Sequence, residues 1–178
     1  MVFIQDGKGR GFTAEVDSDN HLHTFAFTLA KVGEISKEAG RAFSWTNNHP
    51  VALGSVMFYL QNTSPTRNLI IDDIDVSVTA AATYEVLKGT GVGGGTVISG
   101  VNLNFSSSND PEAISFGGQH VTNEGSGGIV GIFRIPADDT GHFPARDAII
   151  LGQNDILMIK KQAGATGSDS VIVEGYYE

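Results

Sequence analysis

The chain contains no cysteine. That excludes disulfide scaffolds, zinc–thiolate sites, redox motifs and cysteine nucleophiles together, so stability has to come from burial or from assembly. Basic residues are also few, 11 Lys plus Arg against 20 Asp plus Glu, giving a net charge of −9 and an isoelectric point near 4.9. Phosphate binding depends on clustered Lys and Arg that displace counterions, and no basic run longer than Lys160-Lys161 occurs. Nucleic acid is therefore not an expected partner, and a membrane surface is excluded on the same ground. No window reaches the roughly 20 apolar residues a membrane helix needs. The start, Met-Val-Phe-Ile-Gln-Asp-Gly, lacks the charged segment and apolar stretch of a leader, so a soluble chain without a cleaved signal is expected. Leucine is scarce as well, with 9 residues against 30 valines and isoleucines. Leucine favours helices and β-branched residues pack well on pleated sheets, so helical bundles are disfavoured.

Glycine is abundant instead. Its 23 copies in 178 residues are about 13%, against a usual level of roughly 7%. The length suits one domain with a terminal arm. Residues 1–20 hold an apolar start (Val2, Phe3, Ile4), three glycines and the polar turn Asp17-Ser18-Asp19-Asn20, and read as an extended N-terminal arm that docks on something larger. From His21 onward, strand-like pieces alternate with clusters of Gly, Asn, Asp, Ser and Pro. In Asn68–Thr79 alternation places Ile70, Ile74, Val76 and Val78 on one side and Asp73, Asp75, Ser77 and Thr79 on the other. In Thr96–Phe105 it places Val97, Val101, Leu103 and Phe105 on one face, with Thr96, Asn102 and Asn104 opposite, predicting a half-buried strand. Further strands are expected at His21–Leu29, Arg41–Thr46, Ser55–Gln61, Thr83–Lys88, Ile129–Ile135, Ala145–Leu151, Asp155–Lys161 and Ser170–Tyr177, while only Ala30–Gly40 could hold a short helix. No strand–long helix–strand order appears, which disfavours a parallel α/β enzyme. The expectation is all-β: a sandwich spanning 21–178, with a closed barrel second.

Several constellations offer chemistry on paper. Gly89-Thr90-Gly91-Val92-Gly93-Gly94 fits G-x-G-x-x-G, but the following residues continue as a strand, so no helix N-terminus is available for a phosphate and a hairpin loop is expected. Asp139-Thr140-Gly141 shares three letters with the aspartic-protease signature but lacks its apolar flanks, and reads as a solvated turn after Pro136. His21 and His23 share a strand face that also carries Phe25, Phe27 and Leu29. That face favours a strand end passing from solvent into core or subunit contact over zinc, and paired histidines at an interface would make assembly sensitive to pH near 6. Asp72, Asp73 and Asp75, or Asp17 and Asp19 with Asn20, could offer oxygens to calcium. Strict alternation turns Asp72 away from its neighbours, and the second group lacks the Gly and distal Glu of an EF-hand loop. His21, His23, His49, His120 and His142 permit a Ser-His-Asp set, yet no Gly-x-Ser-x-Gly elbow is present to expose a nucleophile. Trp45 with Phe43 on the same face could line a sugar-binding surface or belong to the core. The glycosylation pattern at Asn62-Thr63-Ser64 and Asn104-Phe105-Ser106 carries no weight without a leader. No catalytic residue, metal or cofactor is expected.

The opening IQDGKGRGFTAEVDSDNHLHT, followed by EAGRAFSWT, SVMFYLQNTSPTRNLIIDDIDV and the terminal SVIVEGYYE, resembles the small virion structural proteins of tailed bacteriophages. The similarity covers roughly the first 80 residues and the last few. It implies a jelly-roll β-sandwich acting as a capsid cement or decoration protein, a homotrimer bound to the major capsid protein on the outer surface of the head. Phe3, Ile4 and Phe12 of the arm, with His21 and His23, would then contact the capsid or sister subunits. The alternative is a carbohydrate- or receptor-binding module of a tail fibre or baseplate, using the sandwich loops or an aromatic patch around Trp45.

Overall fold

A computed structural model describes residues 3–5, 13–16, 22–23, 39–90, 93–122, 126–165 and 167–178. Side chains are described within these segments except in 3–23 and at 119–122, 126 and 146–147. The chain forms two compact units, 1–30 and 31–178. In the first, β1 (Phe3–Gln5), β2 (Thr13–Val16) and β3 (Leu22–His23) make a three-stranded antiparallel sheet in that order, with Phe3 opposite Glu15 and Val16 opposite Leu22.

The second unit contains β4 (Ala42–Asn48), β5 (Val56–Asn62), β6 (Leu69–Val78), β7 (Ala82–Gly89), β8 (Gly94–Val97), β9 (Val101–Asn102), β10 (Ala113–Thr122), β11 (Ser126–Ile135), β12 (Asp139–Leu151), β13 (Ile156–Gly164) and β14 (Asp169–Tyr177). They form a six-stranded sheet in the order β11-β7-β13-β5-β10-β8 and a five-stranded sheet in the order β12-β6-β14-β4-β9, and every pairing is antiparallel. The two sheets pack face to face. Between them lies the main core, built from the inward residues of both: Phe43 and Trp45 of β4, Phe58 and Leu60 of β5, Ile74 and Val76 of β6, Tyr84 and Val86 of β7, Leu157 and Ile159 of β13, and Val171 and Val173 of β14. The period of two in these strands is the direct cause, since one face of each pleat must leave water. Phe43 sets the aromatic centre, with ring centroids 6.0 Å from Trp45 and 5.8 Å from Tyr177, the latter edge-on. A second buried cluster gathers Val56, Tyr59, Leu87, Ile156 and Met158.

Polar links cross between the sheets. Asn47 of β4, 1% exposed, donates from Nδ2 to the Met57 carbonyl at 2.8 Å and accepts at Oδ1 from the Gly118 N–H at 3.1 Å. That approach explains Gly117 in the middle of β10: a Cβ there would stand 2.4 Å from Asn47 Oδ1. The Gly-Gly pair also explains why β10 is not expected from the sequence, where it reads as punctuation.

Other expectations are corrected. Thr96–Phe105 is not one half-buried strand. It divides at 98–100 into β8 on the six-stranded sheet and β9 on the five-stranded sheet, and Val97, Val101 and Phe105 are exposed, Phe105 by 88%. Asn102 Oδ1 caps the N–H of Asn104 at 2.9 Å, turning the chain just where the alternation would have continued it. Within β6, Glu174 pairs with Asp73 but Gly175 pairs with Ile71, so Asp72 is an extra residue, a β-bulge. The phase of alternation reverses there: Leu69 and Ile71 join the main core, and Ile70 packs instead with Ala42 and Tyr176. Gly89–Gly94 joins β7 to β8, which are not neighbours in the sheet, so it is not a hairpin loop. Asp139-Thr140-Gly141 opens β12, and the turn lies just before it, with Asp138 at φ +58°. The expected strand beyond His23 and the short helix up to 38 lie outside the described residues.

Candidate functional site

The outer face of the five-stranded sheet carries a carboxylate–imidazole group. Alternation after the bulge sends Asp73 and Asp75 of β6 outward, and the antiparallel register sets His142 of β12 directly opposite Asp75. His142 Nδ1 lies 2.9 Å from Asp75 Oδ1 and 3.1 Å from Asp73 Oδ1. On the other side of β6, Glu174 of β14 is opposite Asp73. Partial burial and then the Asp75 charge push the Asp73 carboxyl above its ordinary range, while His142 acts in the opposite direction. Glu174 is pushed up by burial first and then by Asp73, Asp72 and Asp75. Asp72 thus acts on the same group that simple alternation would have turned it away from. Among the described residues, Asp73, Asp75 and His142 are the one set whose ligand atoms, a nitrogen and two oxygens, all lie within 4.8 Å of one another. An imidazole nitrogen suits a first-row transition cation better than the calcium considered from the aspartates alone. Protonated His142 satisfies the same carboxylates without any ion.

At one end of the sandwich a cavity of about 150 Å³ is lined by Arg41, Phe43, Arg67, Asp110, Glu112 and Tyr177, among others. Arg67 pairs with Glu112, and its guanidinium sits 5.4 Å above the Tyr177 ring. The Ser64 hydroxyl, followed by Arg67, holds the Glu112 carboxyl below its ordinary range. Burial, then the Glu112 charge, raises the Tyr177 hydroxyl far above its own. The cavity is therefore polar at the walls and aromatic at the floor.

The third feature is apolar. Strands β11 and β12 are the end strands of their respective sheets and face each other. Ile129, Val130 and Ile132 of β11 and Ile150 of β12 are each about half exposed (50–55%). A shallow groove of about 190 Å³ runs beside them, lined by Leu87, Val130, Ala148, Ile150 and Ile156. An end strand bearing isoleucines instead of lysines presents both apolar surface and unpaired backbone groups, the features that recruit another chain.

The sequence candidates fare differently. Phe3 and Ile4 fall in β1 and His23 in β3, with side chains outside the description; Phe12 and His21 lie outside the described residues, as do Asp17, Asp19 and Asn20. Trp45 is 0% exposed between the sheets, so the sugar-binding surface considered around it does not exist. Asn62 is equally buried and uses Nδ2 on the Arg67 and Leu151 carbonyls, which removes it as a glycosylation acceptor. His142 was the residue sequence reasoning missed as a partner of the aspartates, because 67 positions separate it from Asp75 and only the strand register joins them. No family model, no curated protein and no solved structure matches the chain.

Proposed function

We propose that this is a non-enzymatic structural protein of a phage virion, a cement or decoration protein that binds and stabilises the major capsid shell from outside, as a homotrimer. The observation that carries the reading is the apolar band on the β11 and β12 edges, where Ile129, Val130, Ile132 and Ile150 offer a surface for another protein. The strand order supports a jelly roll: β12-β6-β14-β4 and β11-β7-β13-β5 are two four-stranded sheets whose members alternate along the chain in jelly-roll fashion, with β8 to β10 as an insertion. The resemblance of the opening segment to virion structural proteins supports the location. In this role the segment around Phe3, Ile4 and Phe12, with His21 and His23, contributes to the capsid or subunit interface. Each copy would bridge several shell subunits, and many modest contacts would add through multivalency. The charge of −9 suits a component facing away from packaged DNA.

The test is assembly. The full chain should be trimeric by light scattering and should saturate purified expanded heads; a chain lacking residues 2–12 should keep its β-type circular dichroism and lose head binding. A stable monomer that ignores expanded heads sinks the reading. The polar, aromatic-floored cavity around Arg67 and Tyr177 favours a second reading, a receptor- or carbohydrate-binding module of a tail structure. Glycan-array binding that is lost with Arg67→Ala, together with label at the tail in micrographs, would select it.

A further inference from the structure

Lys161 and Asp169 are both 0% exposed, and they meet inside the sandwich from opposite sheets, Lys161 on β13 and Asp169 on β14. Lys161 Nζ lies 2.7 Å from Asp169 Oδ2 and donates a second hydrogen bond to the Ala165 carbonyl, also at 2.7 Å. Tyr84, fully buried and opposite Lys161 in the β7–β13 pairing, directs its hydroxyl toward the same carboxylate; burial first and then Asp169 push that hydroxyl far above its ordinary range. Neither the Tyr84 hydroxyl nor Asp169 Oδ1 makes a well-aligned hydrogen bond. As an ion pair the arrangement is costly: two charges are withdrawn from water, and beside Lys161 the Tyr84 hydroxyl is a further donor turned toward the carboxylate.

We propose that Lys161 and Asp169 condense into an intramolecular isopeptide bond that joins the two sheets covalently. Within the 2.7 Å hydrogen bond a proton passes from Nζ to Oδ2, leaving the amine and the carboxylic acid that the condensation requires. The Nζ lone pair adds to Cγ, and the negative charge that develops on Oδ1 faces the Tyr84 hydroxyl. The Cγ–Oδ2 bond then breaks, and Oδ2 leaves as water with its own proton and a second one from nitrogen. One C–N bond forms and one C–O bond breaks. Three N–H bonds become one, a single water is released, and neither net charge nor oxidation state changes. Held in place by the fold, such a pair reacts at an effective concentration of about 10⁵–10⁸ M, which offsets the unfavourable condensation of amine and acid in water.

The product also resolves the polar accounts of the site. Its single N–H keeps the Ala165 carbonyl as acceptor, its carbonyl oxygen takes the Tyr84 hydroxyl as donor, and no buried charge remains. The bond would tie the end of β13 to the start of β14 across the two sheets, so the sandwich could not open there under heat or force. This inference is independent of the virion role.

Mass spectrometry of the full chain decides it. Denatured intact protein should be lighter than the sequence mass by one water. Trypsin should cut after Lys160 but not after Lys161, and the resulting peptide 161–178 should carry the missing water and yield no backbone fragments from within 162–168, because the ring holds both halves together. Lys161→Arg and Asp169→Ala should each restore the full mass. An intact mass equal to the sequence mass, ordinary cleavage after Lys161, or a missing water mapped to another peptide overturns the proposal, and all three are read on the unmutated protein, whether or not the variants fold.

Discussion

Glu174 and Asp73 face each other across neighbouring strands, and partial burial first, then the neighbouring aspartates, raise the cost of ionising these two groups. A carboxyl with a raised folded-state value binds its proton more tightly folded than unfolded. Its presence therefore costs stability as pH rises through that raised range, and costs nothing below about pH 4, where both states are protonated. Glu174→Gln should raise the unfolding free energy at pH 7 by no more than about 1 kcal/mol because the group is partly solvated, seen as a higher thermal midpoint, and should leave the midpoint unchanged at low pH. Equal midpoints at pH 7 would show that the Glu174 charge costs the fold nothing. Gly164 tests a different constraint. Its φ is +119°, and an added Cβ would lie 2.4 Å from the Ala81 carbonyl oxygen, so Gly164→Ala should lower stability by about 2 kcal/mol or more in urea unfolding. A loss under 0.5 kcal/mol would show that the end of β13 relaxes freely.

Among the elements, β11 stands out because it ends the six-stranded sheet with apolar side chains where end strands usually carry charge or proline. Ile132→Lys places a charge on that half-exposed edge without touching the main core. The fold should survive, with a change in unfolding free energy within about 0.5 kcal/mol, while the proposed trimer should dissociate in light scattering. An oligomer that persists unchanged would move the interface to another surface. The β6 bulge acts at the same scale: a single extra residue, Asp72, selects which isoleucines enter the core and aims Asp73 and Asp75 at one outer face. Local alternation shows that β6 is a strand, but it cannot show the bulge, because the extra residue exists only relative to the partner strand β14.

At the scale of the molecule, the main core, among the described residues, is built from Phe43 to Tyr177, all within the second compact unit. A chain comprising 31–178 should accordingly fold by itself, with cooperative unfolding and near-ultraviolet signals from Trp45 and the buried tyrosines. A fragment without near-ultraviolet structure would show that the first 30 residues are part of the folding unit.

The all-β class was determined by the sequence alone, through scarce leucine, abundant valine and isoleucine, and glycine-rich punctuation, because strand propensity and period-two burial are properties of neighbouring residues. The positions of β4, β5, β6, β7, β11, β13 and β14 were legible for the same reason. Tertiary structure decided what depends on distant partners: the division of residues 94–102 between two sheets, the burial of Trp45, and the meeting of His142 with Asp75 and of Lys161 with Asp169. In a sandwich, pairing and facing strands come from remote parts of the chain, and which side chains meet is fixed by shared burial and register, for which local alternation carries no information.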